Sequence, residues 1–374
     1  MRVCYISTHA LSTDGWGRYT VELASGVRAH GVEPVLVTAD PAVDPSLADV
    51  EHHPILPMPF AGRFAQPRAV MRAPALRRIL ATCDAAHCTV ELYAPVVAAA
   101  VEKKPFVLSV YGTWAIRPLE GASMRRVFRW AFGRANLVLS ISRYTQARLA
   151  PLVTLRRIEV LPGGVHPERF AEPVEADLPA WVGREPFALS VGAVKPRKGQ
   201  HVALEAVALA RKQVPNLHYV VVGTLEAAPT YVARLREWAS ELGVGDAVHF
   251  LGRLPAPYGA LVAWYQKADV FILPSVSQGS SFEGLGLVYL EAGAAGTPSI
   301  GTHNCGAEEA IVDGETGLLV PQNDPQATAE ALVRLLTDNA LRTRMGQAAR
   351  LRAHTLSWAR LAERTVGYYR EIVA

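Results

Sequence analysis

The sequence predicts an α/β fold of two doubly wound, Rossmann-like domains, and three observations lead to this prediction. Short runs rich in Val, Ile and Leu alternate with helical segments of about 10 to 15 residues. This alternation stops at a stretch rich in Pro and Gly, residues 162–179, and then starts again. The length of 374 residues allows two domains that each bury a core. Because ligands of such folds bind between domains, we expect the two domains to face each other across a cleft that holds the site.

In the first half of the chain the alternation predicts six strands and five helices. The expected strands are residues 2–6, 34–38, 85–87, 106–110, 137–140 and 158–161. The expected helices are residues 18–29, 73–82, 93–102, 122–132 and 143–152. Residues 40–67 are rich in proline and are expected to be irregular. We place the first domain at residues 1–168.

The second half repeats the pattern. The expected strands are residues 187–191, 218–222, 248–251, 270–273, 299–301 and 317–320. The expected helices are residues 200–212, 231–242, 258–266, 285–295, 326–337, 340–353 and 357–372, with a turn at 306–309. We place the second domain at residues 169–356 and treat residues 357–374 as a separate C-terminal helix.

Composition excludes several classes of protein. Half of the residues are hydrophobic and 19% are charged, as in a folded globular protein and unlike a disordered one. No apolar run approaches the roughly 18 residues of a membrane-spanning helix, and the N-terminus passes into a strand without a signal-peptide pattern. The four cysteines lack zinc-ligand spacing. These features predict a cytoplasmic protein with reduced thiols.

Two carboxylates, Glu283 and Glu291, flank a glycine-spaced turn. Eight residues along one helix would place them about 80° apart, so they do not share a helix face. If Glu283 lies in the loop and Glu291 in the helix, both can line one cleft. The first-turn amides of residues 285–287 would then offer a positive end to a phosphate. An ordinary acidic helix start with a solvated Glu explains the spacing equally well.

Two loops after predicted strands have residues suited to phosphate. Gly15-Trp16-Gly17 allows close backbone approach, but the third glycine of dinucleotide-binding loops is missing, and a plain tight turn is an equal alternative. Lys195, Arg197 and Lys198 lie close together after the strand 187–191, where they suit a diphosphate. A solvated basic turn remains the alternative.

Taken together, these loops resemble those of a retaining glycosyltransferase of the GT-B fold, in glycosyltransferase family 4 (glycosyl transferases group 1). The resemblance covers nearly the whole chain and rests on the order of several motifs. These are Gly15-Trp16-Gly17, Ser142-Arg143-Tyr144-Thr145, Pro162-Gly163-Gly164-Val165-His166-Pro167, Pro196-Arg197-Lys198-Gly199, Val221-Val222-Gly223, Pro274-Ser275 with Glu283-Gly284-Leu285-Gly286-Leu287, Gly306-Ala307-Glu308-Glu309, Asp313-Gly314-Glu315-Thr316-Gly317, and Ser357-Trp358.

The resemblance implies transfer of a hexose-type sugar from a GDP- or UDP-sugar to a glycan, lipid-linked or small-molecule acceptor. It implies catalytic roles for Arg197 and Lys198, which would bind the diphosphate, and for Glu283, which would contact the sugar. Glu291 would bind the ribose. The other implied donor-binding residues are Gly15, Gly17, Gly284, Leu285, Gly286 and Leu287, and the implied sugar or acceptor pocket is Trp16, Tyr111, Gly112 and Thr113. The last helix would cross back to the first domain.

No cofactor or metal is expected, because the cations would neutralise the leaving diphosphate and no Asp-x-Asp motif is present. Two departures from the family pattern bear on activity. Tyr111 stands where family members often have His, and Ala193 where many have Arg. Tyr111 can donate one hydrogen bond but carries no charge near neutral pH. One alternative is a phosphorylase on the same fold, which would use inorganic phosphate instead of a nucleotide. The two departures motivate another alternative, a catalytically degenerate relative that binds a sugar or a partner.

The first domain has an uneven charge. Residues 55–158 carry 16 Lys and Arg against 4 Asp and Glu, a balance of +12, so the rest of the chain carries −8 of the overall +4. The helix 122–132 mixes Arg with aromatic residues, and Arg63, Arg68, Arg72, Arg77 and Arg78 add to its charge. Such a helix fits peripheral contact with anionic lipid on the inner membrane face, or a crossover helix with a solvated basic side. No nucleic acid is expected, because interleaved aromatic residues on a strand surface are missing.

Overall fold

The computed structural model describes residues 1–60, 64–254 and 259–374 of the chain. These residues divide into two compact units. Unit 1 consists of Met1–Gly163 together with Trp358–Ala374, and unit 2 consists of Gly164–Ser357. Each unit is built around its own parallel sheet.

All pairings between strands of the described residues are parallel, as the alternating pattern predicts. The strands are β1 (Arg2–Ile6), β2 (Glu33–Val37), β3 (Glu51–His53), β4 (Ala85–Cys88), β5 (Phe106–Val110), β6 (Leu137–Ser140), β7 (Ile158–Val160), β8 (Phe187–Val191), β9 (His218–Val222), β10 (Val248–Gly252), β11 (Val270–Ile272), β12 (Ser299–Thr302) and β13 (Gly317–Val320).

Helices connect these strands. They are α1 (Gly15–Arg28), α2 (Ala65–Val70), α3 (Ala73–Leu80), α4 (Ala94–Ala100), α5 (Thr113–Glu120), α6 (Ala122–Arg134), α7 (Arg143–Leu149), α8 (Gln200–Ala210), α9 (Pro229–Glu241), α10 (Gly259–Lys267), α11 (Leu287–Ala295), α12 (Ala307–Ala310), α13 (Pro325–Thr337), α14 (Asn339–Thr355) and α15 (Trp358–Val373). The last of them, α15, belongs to unit 1.

The strand order of both sheets is that of a doubly wound fold. Within the described residues the order is β3-β2-β1-β4-β5-β6-β7 in unit 1 and β10-β9-β8-β11-β12-β13 in unit 2. The direction of winding reverses between β1 and β4 in the first sheet, and between β8 and β11 in the second. Ligands of open α/β sheets bind at the carboxyl ends of the strands at this reversal, which is called the switch point. The predicted fold class, two Rossmann-like domains, is confirmed.

Several predicted element boundaries in unit 1 are wrong. Helix α1 begins at Gly15 and not at residue 18, because the Asp14 carboxylate accepts the N–H of Gly17 at 2.9 Å and caps the helix there. The Gly15-Trp16-Gly17 motif is therefore the first helical turn and not a loop. The segment 40–67, expected to be irregular, contains β3 and the start of α2. Helix α5 was not predicted, and Pro118 lies inside it.

Boundaries in unit 2 also differ. Helix α11 begins at Leu287, two residues later than predicted, because Gly286 adopts a left-handed conformation with φ +78° and interrupts the helix. The expected turn at 306–309 contains the short helix α12. Of the predicted helix 258–266, Tyr258 lies outside the described residues, as does Arg63 of the basic segment.

A buried polar network anchors α15 in unit 1. His87 on β4 bonds Ser109 through Nε2 at 2.8 Å and the Tyr369 hydroxyl through Nδ1. Tyr369 in turn donates to the hydroxyl of Tyr5 at 3.0 Å. Burial lowers the pKa of His87 to about 3, so this imidazole is neutral in the folded protein.

Candidate functional site

A short turn carries the cations of unit 2. The 3₁₀ turn Pro196–Lys198 follows β8, and the carbonyl of Arg197 accepts the N–H of Val276 at 2.8 Å, just beyond β11. Gly199 ends this turn with φ +70°, and a Cβ at this position would lie 1.8 Å from the carbonyl oxygen of Pro274. Only glycine permits this close approach. The turn is therefore held at the carboxyl ends of β8 and β11, the switch point of unit 2.

Glu283 forms ion pairs with two cations of this turn, Arg197 and Lys198. Its Oε2 atom accepts from Lys198 Nζ at 2.6 Å, from Arg197 Nη1 at 3.1 Å and from Ser275 Oγ at 3.3 Å. Side-chain exposure is 9% for Glu283, 12% for Lys198 and 18% for Arg197. The cation turn is therefore not a solvated basic loop, because the side chains of Arg197 and Lys198 are partly buried against a carboxylate.

The charges of this cluster shift the pKa of its members. Burial alone would raise the pKa of Glu283, but Lys198 and Arg197 outweigh it and lower this pKa to about 2. Burial and the charge of Arg197 lower the pKa of Lys198, against the opposing effect of Glu283. Burial and the neighbouring Arg197 and Lys198 also lower the pKa of Lys195. Two cations thus face one carboxylate, which leaves the cluster one positive charge in excess and suited to an anion.

Glu291 has different surroundings. It lies within α11, whereas Glu283 lies before the helix, as the sequence predicts. Its Oε2 accepts from the buried Tyr265 hydroxyl at 2.7 Å. The residues Glu283 and Glu291 are only 7% and 5% exposed, so the alternative of a solvated acidic helix start is wrong.

Residues 284–286, between Glu283 and the start of α11, form a tight connection into this helix. The N–H of Gly306 donates to the carbonyl of Glu283 at 2.8 Å, which brings α12 against this connection. Leu285 is 1% exposed, so its side chain belongs to the core of unit 2. Because α11 begins at Leu287, its first-turn amides start there and not at residue 285, and the N–H of Tyr289 already donates to the carbonyl of Gly286 at 3.0 Å. Donor contacts by the amides of Gly284 to Leu287 stay a prediction.

In unit 1 the two glycines of the first helical turn differ. A Cβ at Gly17 would lie 2.0 Å from the carbonyl oxygen of Leu11 and 2.4 Å from His9 Nε2, so this glycine is required by packing. A Cβ at Gly15 would meet nothing within 4 Å. Gly15 therefore leaves open space in which a ligand can approach the backbone, while donor binding by either glycine stays a prediction.

Aromatic rings gather at the carboxyl edge of the unit 1 sheet. Trp16 stacks on Phe60 with 5.7 Å between ring centroids, and Trp114 lies 4.8 Å from Phe60. The guanidinium of Arg117 lies 5.3 Å from the centre of the Trp114 ring. Phe60 is 50% exposed, so this cluster presents apolar surface beside the predicted pocket residues.

The predicted pocket residues Tyr111, Gly112 and Thr113 join β5 to α5. Tyr111 donates its N–H to Glu91 Oε1 at 2.7 Å. Gly112 has φ +132°, which allows the sharp entry into α5 at Thr113. These residues lie in unit 1 beside Glu91, and their contact with a sugar or acceptor stays a prediction.

Sequence reasoning missed Glu91. This residue follows β4, is fully buried, and has a pKa that burial raises to about 7. The one signal in the sequence was a carboxylate three residues after the end of a buried strand, in Cys88-Thr89-Val90-Glu91. Buried acidic residues are rare unless they are paired, so such a position deserves a functional hypothesis.

The basic helix α6 has one side buried in unit 1 and one exposed basic side. Phe128 and Phe132 are buried in unit 1, as in a crossover helix. On the other side Arg126 and Arg129 are exposed next to Trp130, which is 48% exposed. A cavity of about 480 Å³ lies beside Arg129 and Trp130. The exposed side therefore carries an aromatic ring among cations.

The described parts of the chain contain neither a candidate metal-binding cluster nor a helix that could span a membrane. Within residues 1–60, 64–254 and 259–374, no group of three or more His, Cys, Asp and Glu side chains could hold a metal ion. No helix in the same ranges is both long and apolar enough to cross a membrane.

Two doubly wound, Rossmann-like domains in one chain are the architecture of the GT-B fold. The family described as glycosyl transferases group 1 matches residues 177–352, and glycosyltransferase family 4 matches residues 13–169. The chain belongs to the group 1, family 4 glycosyltransferases that these two descriptions name. A sucrose-phosphate synthase from Thermosynechococcus elongatus has the same fold, with a TM-score of 0.79 and 24% identity over 99% of this chain and 98% of that one.

Two relatives carry specific names. A GDP-mannose-dependent α-(1-6)-phosphatidylinositol monomannoside mannosyltransferase of Mycolicibacterium smegmatis is 34% identical over 63% of this chain and 61% of its own length. A D-inositol 3-phosphate glycosyltransferase of Corynebacterium glutamicum is 39% identical over 49% of this chain and 43% of its own. The matches thus span about two fifths to three fifths of the length of these relatives.

Proposed function

We propose that this chain is a metal-independent, retaining glycosyltransferase that moves a hexose-type sugar from a nucleotide-diphosphate donor. The observation that carries the proposal is the cluster of Arg197, Lys198 and buried Glu283 at the switch point of unit 2. A ligand at this position meets one excess positive charge in a partly buried environment, where electrostatic attraction is stronger than in water.

The excess positive charge of this cluster would act when the bond between sugar and phosphate breaks. When the bond between the anomeric carbon and the phosphate breaks, the departing diphosphate gains negative charge. Arg197 offers paired N–H donors that fit two phosphate oxygens, and Lys198 offers a compact point charge. Glu283 holds both cations in place before the donor arrives, so little reorganisation is required during the reaction. Its remaining oxygen is available to a sugar hydroxyl, and Glu291 would bind the ribose.

The relatives suggest the substrates to try. One relative is named for GDP-mannose as donor and another for D-inositol 3-phosphate as acceptor. We propose GDP- or UDP-hexoses as donors and a glycan, a lipid-linked molecule or a small polyhydric alcohol as acceptor.

The test is release of nucleoside diphosphate from a panel of GDP- and UDP-sugars, with and without D-inositol 3-phosphate. Lys198→Ala should lower kcat by about 100-fold, as does the loss of one donor to a developing charge. Glu291→Ala should mainly weaken donor binding. Lys212→Ala, an exposed cation of the same unit, is the matched control. Wild-type activity in both site variants would overturn the assignment.

The same assay separates the alternatives. A phosphorylase would need inorganic phosphate and release no nucleotide. A degenerate relative, suggested by Tyr111 and Ala193, would bind donor without turnover. No release and no heat of binding with any donor would refute the transferase proposal. The configuration of the product, read by NMR at the anomeric carbon, tests retention.

We also propose peripheral membrane contact through the exposed side of α6. Cationic side chains near an anionic surface contribute about 1 kcal/mol each, and Trp130 suits the interface. Binding to vesicles with 30% anionic lipid should weaken when Arg126 and Arg129 are both replaced by Gln. Equal sedimentation with neutral and anionic vesicles would contradict this part of the proposal.

A further inference from the structure

The side chain of Gln322 connects two loops at the carboxyl edge of the unit 2 sheet. Gln322 lies two residues beyond the end of β13. Its Oε1 accepts the N–H of Ser277, in the loop after β11, at 2.7 Å. Its Nε2 donates to the carbonyl oxygens of His303 and Asn304, in the loop after β12, at 2.8 and 3.1 Å. Because β11, β12 and β13 are neighbours in the sheet, one side chain ties together the ends of these three strands.

The loop after β11 also contacts the cation cluster. Ser275 Oγ donates to Glu283 Oε2 at 3.3 Å. The N–H of Val276 donates to the carbonyl of Arg197, within the cation turn, at 2.8 Å. The next residue along the chain is the one that Gln322 binds. Three consecutive residues of this loop therefore contact, in turn, the carboxylate, the cation turn and Gln322.

The loop after β12 contacts the backbone of the same carboxylate residue. The N–H of Gly306 donates to the carbonyl of Glu283 at 2.8 Å. A Cβ at Gly306 would lie 1.9 Å from the carbonyl oxygen of Gly284, so the two backbone segments touch there. Both loops that Gln322 connects therefore contact Glu283, one at its side chain and the other at its backbone.

These contacts of Gln322 require an amide group. The N–H of Ser277 needs an acceptor, whereas the two carbonyl oxygens need donors, and a carboxamide supplies both. A carboxylate of the same shape lacks the donors, and an apolar side chain of the same length lacks donors and acceptor alike. Gln322 is only half-buried, so packing in the core does not explain its position.

The position of Glu283 decides where the cations lie. Its Oε2 is 2.6 Å from Lys198 Nζ and 3.1 Å from Arg197 Nη1. A displacement of about 1 Å, caused by a change far from the reacting atoms, can lower a reaction rate by about 100-fold. Because negative charge on the diphosphate develops as its bond to the sugar breaks, displaced cations weaken the transition state more than the bound donor.

We infer that Gln322 is a positioning residue of the donor site. It holds the loops after β11 and β12 together, so that the ion pairs between Glu283 and the cation turn keep their geometry. For its effect on turnover this inference rests on the proposed transferase activity. Its effect on the ion pairs of Glu283 does not depend on that activity.

The first test is the turnover of Gln322→Met, which keeps the length of the side chain and removes its hydrogen bonds. It is measured with each GDP- and UDP-sugar that the wild type uses. We expect kcat to fall about tenfold or more, while KM for the donor changes less than about threefold. Gln326→Met is the matched control, because Gln326 is exposed on α13 and bonds Glu330 at 2.8 Å, and it should retain the wild-type values. Wild-type kcat in Gln322→Met overturns the inference.

A double-mutant cycle with Glu283→Gln separates positioning from a general loss of stability. Urea unfolding at pH 7 gives the unfolding equilibrium constants of the wild type, of both single variants and of the double variant. We expect the effects of Gln322→Met and Glu283→Gln to fall short of additivity by about threefold or more. The effects of Gln326→Met and Glu283→Gln should be additive. Additive effects of Gln322→Met overturn the inference and show that Gln322 stabilises only its own loops.

The cycle requires no substrate. A wild type that releases no nucleoside diphosphate from any donor refutes the transferase proposal, and the cycle then decides the positioning role by itself. If Gln322→Met does not fold, Gln322→Asn takes its place in both tests, because its side chain is one methylene too short to reach both loops.

Discussion

Glu283→Gln tests the physical basis of the donor site. The substitution keeps the shape of the side chain but removes the negative charge that faces Lys198 and Arg197. Two partly buried cations then lose their partner, which raises the free energy of the folded state because the surrounding protein cannot solvate them as water does. We expect a less stable unit 2 at neutral pH.

The magnitude follows from the pKa of Glu283, about 2 against an ordinary value of 4.5. At about 1.36 kcal/mol for each unit of difference, the carboxylate contributes about 3 kcal/mol at pH 7. Since the pKa is depressed in the folded state, this stability is fully present above pH 4.5 and is lost as the pH falls toward 2. The contribution that remains at pH 3 is roughly 1 kcal/mol.

Urea unfolding at pH 7, 5, 4 and 3 measures the difference between wild type and Glu283→Gln. The gap should be about 3 kcal/mol at pH 7 and less than half of that at pH 3. Glu237→Gln is the control, because Glu237 is 66% exposed and pairs with Arg234 at the surface, so its loss should cost no more than about 0.5 kcal/mol. Equal stability of wild type and Glu283→Gln at pH 7, or a gap that does not change with pH, would refute the reasoning.

Three further predictions concern the framework of the site. Gly199→Ala and Gly243→Ala impose the same left-handed strain, since φ is +70° and +69°, but of the two only Gly199 has a backbone atom close to the added Cβ. Gly199→Ala should therefore lower the free energy of unfolding in urea by at least about 2 kcal/mol more than Gly243→Ala does. Equal losses in the two variants would argue against the close approach. Tyr369→Phe should lower the free energy of unfolding by about 1–3 kcal/mol because it breaks the buried network of Tyr5, His87 and Tyr369. Tyr368→Phe, on the same helix but only half-buried, should change the free energy of unfolding little. Similar values for both variants would contradict a stabilising role of the Tyr369 hydroxyl. The depressed pKa of His87, about 3, predicts stability that is present above pH 6.5 and lost as the pH falls toward 3, so the unfolding temperature of His87→Gln should depend less on pH between 6.5 and 4.5 than that of the wild type, and parallel curves would count against it.

Local pattern was sufficient for most of the fold. The strands 106–110, 137–140, 187–191 and 218–222 were predicted with the bounds that the structure has, because a run of apolar β-formers between helical segments is a local signal. Helix α5 was missed because Pro118 interrupts its pattern. Helix α1 begins three residues earlier than predicted because the side chain of Asp14 caps it, and hydrophobic periodicity does not reveal a cap.

The candidate site likewise has features that the sequence predicts and contacts that only the tertiary structure shows. The sequence alone determined that the chain has two Rossmann-like domains, that cations follow β8, and that two carboxylates flank the entry to α11. Only the tertiary structure decided what these groups contact. Lys198 and Glu283 are 85 residues apart, and Glu91 and Tyr111 are 20 apart. Each pair meets because β8 pairs with β11 and β4 with β5. Strand order depends on the packing of the whole domain, and no local pattern in the chain records it.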